Sequence, residues 1–450
     1  MEFELSPEYK ERFEVALKCR DKRFISSSLD GVNPADITTL LDEFNSDQCK
    51  FVFSLLPLDV DAAILNGLDE DVRKDFLEFF PNEEIAGFIE FLDSDDAADI
   101  VLQFNLKDRE EIISLVKSDE KSAHIMDLIR YDEDVAGGLM AKELIKANHN
   151  WTVRRCIEEI RKQAENVEKI YSIYVVDEID TLIGKVSLKK LIISGDTVKV
   201  SDIFDDDIIV VNTYLEKEEV ISIMQKYDLE VVPVINPKGK LVGRITIDDV
   251  LDVITELAEE ERQIMSGISS DIEEDDDLWS ISKARLPWLV IGMGGGLIAA
   301  RITNLFREDI AIITGLALFI PLITATGGNV GIQSSSLIVQ SLANPNAFES
   351  GLWSRFFKML IVAVINGTIL AVIVFGAIIL LFQEPLLAYT VGIALFNVVI
   401  LASLTGTITP LVLNKFGINP ALASGPFITT ANDLLGLAVY FSVAHAIYNL

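Results

Sequence analysis

The pattern of apolar and polar positions changes twice along the chain. Up to about residue 130, apolar residues recur three and four apart in short runs such as LLPLDVDAAILNGL, FFPNEEIAGFIEFLDSDDAADIVLQF and REEIISLV, with Asp- and Pro-rich starts. That spacing predicts short amphipathic helices, and helices of this kind joined in series predict an α-solenoid over residues 1–130. Between 139 and 254 the pattern repeats itself. YSIYVVDEIDTLIGKVSLKKLI and LEVVPVINPKGKLVGRITIDDVL are related by an offset of 59, which pairs Leu182 with Leu241, Gly184 with Gly243 and Ser187 with Thr246. Each copy predicts an amphipathic helix (154–164; 216–227), an apolar strand, a turn, a second strand and a helix, so residues 131–254 read as a tandem α+β module.

From residue 283 onward the chain is overwhelmingly apolar. No Asp, Glu, Lys or Arg occurs from Ile310 to Phe348, from Met359 to Gln383, or from Pro385 to Asn414. A bilayer-spanning helix needs about 20 predominantly apolar residues, which predicts five spans near 284–304, 311–341, 357–382, 387–413 and 423–448, a transmembrane bundle over 283–450. The second is long enough to require a tilt, a kink or a part outside the bilayer, and Pro321 with the glycines after it could supply the kink. With the N-terminus inside, the cytosolic flanks carry Lys283, Arg285, Arg355, Lys358 and Lys415, the outer ones only Arg301 and Arg307. Basic flanks stay inside, so the first 282 residues are expected in the cytosol and the C-terminus outside. Trp279, Trp288 and Trp353 lie where interfacial rings settle.

Charge sharpens the division. The formal net charge is −32, yet from Lys283 onward seven basic residues face five acids. The first 282 residues therefore carry −34, with 65 acids against 31 bases. A polyanion of this kind repels nucleic acid and anionic membrane surfaces and attracts cations. The three cysteines (Cys19, Cys49, Cys156) form neither a disulfide framework nor a zinc pattern, and no signal peptide opens the chain. Residues 249–282 predict a connecting helix bearing Asp249, Asp252, Glu256, Glu259, Glu260 and Glu261, followed by an acidic linker.

Two stretches within the spans are unusual. Asp433 is the only charged residue from Phe416 to Leu450. A mid-membrane carboxylate costs at least ~2.5–3.5 kcal/mol to insert, so it faces a partner helix or a water-filled path. Asn432, Thr429 and Thr430 add oxygen donors nearby. The second span contains TGGNVGIQSSS, residues 326–336, where Gly327, Gly328 and Gly331 permit close backbone approach or a local break, and Asn329 and Gln333 share a helical face. The Gly292–Gly296 pair of the first span reads as helix packing, and His445 as interfacial. An all-oxygen donor set without thiolate or imidazole suits a hard cation such as Mg²⁺. Phosphate-binding loops, catalytic triads and metal-binding histidine pairs are absent from the sequence, which argues against an enzyme.

The repeat closely resembles cystathionine-β-synthase (CBS) domains, whose pairs sense adenosyl ligands or ions. The second copy keeps Thr246-x-x-Asp249, the acid of which often holds a ribose in that family; the first has Ser187 to Lys190. The whole order resembles the MgtE family of Mg²⁺ channels, on RYDEDVAGGLM (130–140), ARLPWL (284–289), PLITATGGNVGIQSSSLIV (321–339) and INPALASGPFITTANDLLGL (418–437). The resemblance implies a multidomain protein with a cytosolic helical domain, a CBS pair with ATP as its nucleotide, and a homodimeric pore lined by the second and fifth spans in the cell membrane. It implies pore positions at Gly328, Asn329, Gly425, Thr429 and Asp433. It further implies a cytosolic Mg²⁺ gating site at Asp95, Asp99, Gly138 (by its carbonyl), Glu216, Glu218, Asp228, Asp249, Asp252, Glu260 and Glu261. Two other readings stay open: a broader Co²⁺/Ni²⁺ transporter, and a CBS-based membrane sensor that transports nothing.

Overall fold

The computed structural model describes residues 5–41, 44–68, 70–164, 167, 169–269, 272, 278–343, 352–423 and 425–449. It falls into two compact units, residues 1–252 and 253–450.

Among the described residues, the first unit opens with ten short helices between Pro7 and Leu128. The turn residues mark their starts. Pro57, Pro81 and Asp93 occupy N-cap positions, and Asn45 forms a capping box with Gln48. Helices Pro34–Leu41, Leu58–Asn66, Asn82–Ile89 and Leu106–Leu115 each pack on the next in that series. Such stacking of every second helix is that of a solenoid. It buries Ile37, Leu40, Ile64, Leu65, Ile85, Ile89 and Ile112.

The two copies of the repeat form two three-stranded sheets with the same topology. In one, β1 (Ile145–Asn148) runs parallel to β2 (Ile173–Val176), which is antiparallel to β3 (Leu182–Val186). In the other, β4 (Val211–Asn212), β5 (Val231–Ile235) and β6 (Leu241–Thr246) repeat that order. The helices expected at 154–164 and 216–227 are Val153–Gln163 and Lys217–Tyr227. The copies meet through a reciprocal pair of hydrogen bonds: Leu182 N donates to Gly239 O, and Leu241 N to Asp180 O. Donors and acceptors are both offset by 59, so a pseudo-two-fold axis passes between them. Each half also lends a strand edge to the other. Ala141 pairs with Arg244 of β6, and Asp205 with Lys185 of β3. That crossing explains the matched glycines. A methyl on Gly184 would overlap the Asp205 carbonyl, and one on Gly243 would lie 2.8 Å from the Ala141 carbonyl.

The second unit contains five helices long and apolar enough to cross a membrane among the described residues. The fourth, Pro385–Lys415, is central. It packs against Ile320–Ala343, Leu352–Phe382 and Pro426–Tyr448, and buries Val391, Leu395, Val398 and Val399. The first, Leu278–Leu305, leans chiefly on the last and leaves Leu286, Leu289, Met293 and Leu297 exposed, as a lipid-facing helix would.

Two expectations are corrected here. The interruption in the second span lies before Pro321, where short helices Arg307–Ile312 and Gly315–Leu318 precede Ile320–Ala343. Pro321 sits in the first turn, where its missing N–H removes no helical bond, and the helix runs unbroken through Gly327, Gly328 and Gly331. In the first span Gly295, not the Gly292–Gly296 pair, makes the close contact: a methyl there would overlap Thr430, while Gly292 and Gly296 meet nothing within 4 Å. Most of the acidic linker (residues 270, 271 and 273–277) lies outside the described residues.

Gly184→Ala is expected to destabilise residues 1–252 by about 2 kcal/mol. Gly87→Ala, in a helix with nothing within 4 Å, should be neutral or stabilise by up to about 1 kcal/mol. Urea unfolding of the two variants checks the contrast.

Candidate metal sites

In the membrane unit, Gly328 brings the second span against the last. A methyl there would sit 3.3 Å from Thr429 Cγ2 and 3.9 Å from Asp433 Oδ1. Gly328, Thr429 and Asp433 are thus neighbours, with Asn329 exposed beside them. Among the described residues no charged group acts on Asp433. Gly425 begins the last span at φ +56°, ψ −132°, a conformation glycine tolerates best, and its carbonyl accepts from both the backbone N–H (3.1 Å) and the hydroxyl (3.0 Å) of Thr429. Gly425 also lies against the Met265 carbonyl so closely that no Cβ fits. Met265 ends the acidic helix Ile247–Ser266, and Gly267 (φ +82°) presses on Pro426. The acidic helix therefore terminates on the first turn of the span that carries Asp433.

Two nearby donors point elsewhere. Thr430 faces Gly295 of the first span. Asn432, 1 % exposed, accepts a 2.6 Å hydrogen bond from Thr405 of the fourth span, and its Nδ2 has no partner. A methyl on Gly331 would overlap that Nδ2, and one on Gly406 would overlap the Gly331 carbonyl. Gly331 is thus the point where the second, fourth and fifth spans meet, which is a packing role. Ser334 to Ser403 (3.2 Å) and Ser335 to the Ala423 carbonyl (2.9 Å) extend the same polar seam. His445 pairs with Asp309 at 3.0 Å.

In the cytosolic unit, a cleft of about 1430 Å³ opens between the helical domain and the CBS pair. Asp95, Asp249 and Asp252 line it. So do further acids that sequence reasoning missed, among them Asp93, Asp96, Glu143 and Asp248. The 93–96 acids are placed by the start of helix Ser94–Leu102. Glu143 is held by Ser94, whose backbone N–H (3.1 Å) and hydroxyl (2.7 Å) both donate to Oε2. Asp249 is oriented by the Thr246 hydroxyl (2.6 Å) and N–H (3.0 Å). One carboxylate oxygen each from Asp93, Asp95 and Glu143 lies within 4.8 Å of the others. Burial pushes the Asp95 carboxyl well above its usual range, and Asp96, Asp249, Asp93 and Glu143 push it further. Burial with Asp249 and Asp93 raises Asp96 to about 7. Burial raises Asp249 against its Thr246 hydrogen bonds, and raises Asp252, with Asp248 adding.

The donor set fits a hard divalent cation. Mg²⁺ holds oxygens at about 2.0–2.1 Å, so its ligand oxygens lie at most about 4.2 Å apart. The cluster needs slight closure for direct ligation, or accommodates an ion that keeps part of its water shell. The remaining residues of the implied gating set are elsewhere. Asp99, Glu216, Glu218 and Asp228 are exposed and do not line the cleft. Gly138 belongs to the loop whose neighbours Ala136 and Gly137 bond to Leu215 and Thr213. Glu260 and Glu261 lie on the acidic helix in the second unit, where burial and then Glu260 raise Glu261.

Three family profiles match the chain: "MgtE intracellular N domain" over 32–134, "CBS domain" over 134–194 and 200–256, and "Divalent cation transporter" (MgtE) over 320–443. The magnesium transporter MgtE of Thermus thermophilus is 33 % identical over 435 residues, 95 % of this chain and 96 % of that one. The chain belongs to the MgtE family. Its Bacillus subtilis relative, also named magnesium transporter MgtE, is 28 % identical, covering 95 % of this chain and 94 % of that protein. Among solved structures, the cytosolic domain of the Mg²⁺ channel MgtE in complex with ATP superposes with a TM-score of 0.51 at 33 % identity. It covers 53 % of this chain and 98 % of that one. The multidomain architecture expected of an MgtE member, a helical domain, a CBS pair and apolar helices in the membrane, is the one observed.

Two outcomes are expected. Gly331→Ala lowers the melting temperature in detergent by several degrees, and Gly331→Ala/Asn432→Ala lies closer to wild type than the sum of the single variants, because the second change removes the overlap. For residues 1–252 without divalent cations, stability falls as pH rises from about 4 to about 7. In that window the folded state retains a proton on Asp96 that the unfolded chain has lost. Asp96→Asn should flatten that slope in thermal melts.

Proposed function

We propose that the chain is a Mg²⁺ channel or transporter for uptake across the cell membrane. Its path runs beside Asp433 between the second and fifth spans of a homodimer, with the first unit cytosolic and the C-terminus outside. The observation that carries this reading is Asp433, a carboxylate within an apolar span, set against Gly328 and Thr429 with no counter-charge among the described residues. Mg²⁺ is the cargo here. It sheds water reluctantly, so a carboxylate flanked by Asn329, the Thr429 hydroxyl and the Gly425 carbonyl would recognise the hydrated ion by hydrogen bonds to its water. The absence of thiolate or imidazole from this set favours Mg²⁺ over Co²⁺ or Ni²⁺. A membrane sensor would have no use for a charge at that depth.

The same reading supplies a gate. Acids across the cleft repel one another, roughly 0.7 kcal/mol per pair at 6 Å even at the dielectric of water. Cytosolic Mg²⁺ held by Asp93, Asp95 and Glu143, with Asp249 and Asp252 nearby, would draw the helical domain onto the CBS pair. The exposed acids Asp99, Glu216, Glu218, Asp228 and Glu260, the half-buried Glu261 and the Gly138 carbonyl are the remaining members of the proposed gating set. The contact of Met265 with Gly425 gives the acidic helix a direct hold on the span that bears Asp433. ATP, present in the solved relative, would bind the CBS pair on the Asp249 side, since Lys190 replaces the acid in the first copy.

Mg²⁺ influx into proteoliposomes tests this. Flux that falls at least tenfold in Asp433→Asn, and that stops as Mg²⁺ rises on the cytosolic face, is expected. Flux indifferent to Asp433 removes it from the path, and absence of flux under every condition favours the sensor.

A further inference from the structure

The acidic cleft is also lined by cations, Lys121, Lys142, Lys146, Lys169 and Arg244, and of these Arg244 makes an ion pair with Asp93. Arg244 stands on β6 with its side chain only 6 % exposed, an unusual position for a guanidinium. Its Nη1 donates to the Lys169 carbonyl at 3.2 Å, its plane lies over the Tyr171 ring at 5.5 Å, and its buried Nε has no partner. Its Nη2 reaches Asp93 Oδ2 at 3.6 Å, beyond hydrogen-bond length. Its backbone is locked to Ala141 by hydrogen bonds in both directions, 2.8 and 2.9 Å, so the charge cannot leave by a shift of the strand. Asp93 is also one of the three carboxylates that converge with Asp95 and Glu143.

We propose that Arg244 is a tethered counter-ion that competes with the divalent cation for Asp93, and so sets the concentration at which the cleft fills. This rests on the reading of the cleft as a Mg²⁺ site. Without the ion, the guanidinium offsets part of the repulsion in the cleft through a single loose ion pair. When the ion enters, Asp93 turns toward it and Arg244 keeps only the Lys169 carbonyl and the Tyr171 face. The guanidinium then stands about 6 Å from a doubly charged ion. Repulsion at that distance weakens binding by about tenfold at low ionic strength, even at the dielectric of water. A residue that merely held Asp93 in place would do the opposite, because its loss would weaken binding. The sign of the effect separates the two roles.

The test measures, on the full chain in detergent at low ionic strength, the Mg²⁺ concentration that half-protects the cytosolic part from limited proteolysis. Arg244→Gln is expected to lower that midpoint by about tenfold, and Arg244→Lys, which keeps the charge but not the fork, to leave it within about twofold. A midpoint that rises or stays put in Arg244→Gln overturns the proposal, as does one that rises in Arg244→Lys should the glutamine variant fail to fold. If wild type shows no Mg²⁺-dependent protection, and Asp95→Asn behaves identically, the Mg²⁺ reading of the cleft itself fails.

Discussion

A carboxylate removed from water without a full counter-charge is unfavourable by several kcal/mol, and both units of this chain contain such groups. In the membrane unit it is Asp433. In the cytosolic unit it is Asp95, buried to 8 % exposure among four other acids. Each is tolerable only where a cation or a proton arrives. At Asp96 and Asp95 the raised protonation points are that requirement expressed without metal. The compensation around these groups is partial: Lys121 and Arg73 act on the cleft acids without bringing Asp95 or Asp96 back to the usual range, and the Arg244 guanidinium stands 3.6 Å from Asp93, beyond hydrogen-bond length.

Close backbone approach is what holds the carboxylates in place. Gly331 and Gly406 let three spans converge, which fixes the face of the last helix and so the direction of Asp433. Gly184 and Gly243 let each half of the CBS pair lay a strand edge across the other, which holds Arg244 and Glu143 on one side of the cleft. In each case a single methyl would meet a carbonyl or an amide that has nowhere to go.

Much of this was legible in the sequence. The five spans, the solenoid helices and the 59-residue repeat follow from periodicity, because burial on one face leaves a regular trace. Asp433 was legible because a charge is conspicuous in an apolar run. The glycines after Pro321 were misjudged. Sequence shows that glycine permits a broken helix or a tight crossing, and only the position of Asn432 and Gly406 decides for the crossing. The cleft was half legible. Asp95 and Asp249 came from family resemblance, whereas Asp93, Asp96 and Glu143 sit among so many acids that nothing in their spacing separates them from a solvated surface. Arg244 is a charge within the apolar strand LVGRIT, yet nothing in its spacing pairs it with Asp93, which lies far away in sequence.

At the contact between Met265 and Gly425 the Met265 carbonyl lies against the glycine main chain, and Gly267 rests on the Pro426 ring beside it. Neither contact involves an ionisable group, so ionic strength and pH act on them far less than on the carboxylates of the cleft. In the proposed gate a chemically soft detector would thus be joined to a stiff contact. Substitutions would then retune the detector one acid at a time, while backbone shape would set the contact with the last span.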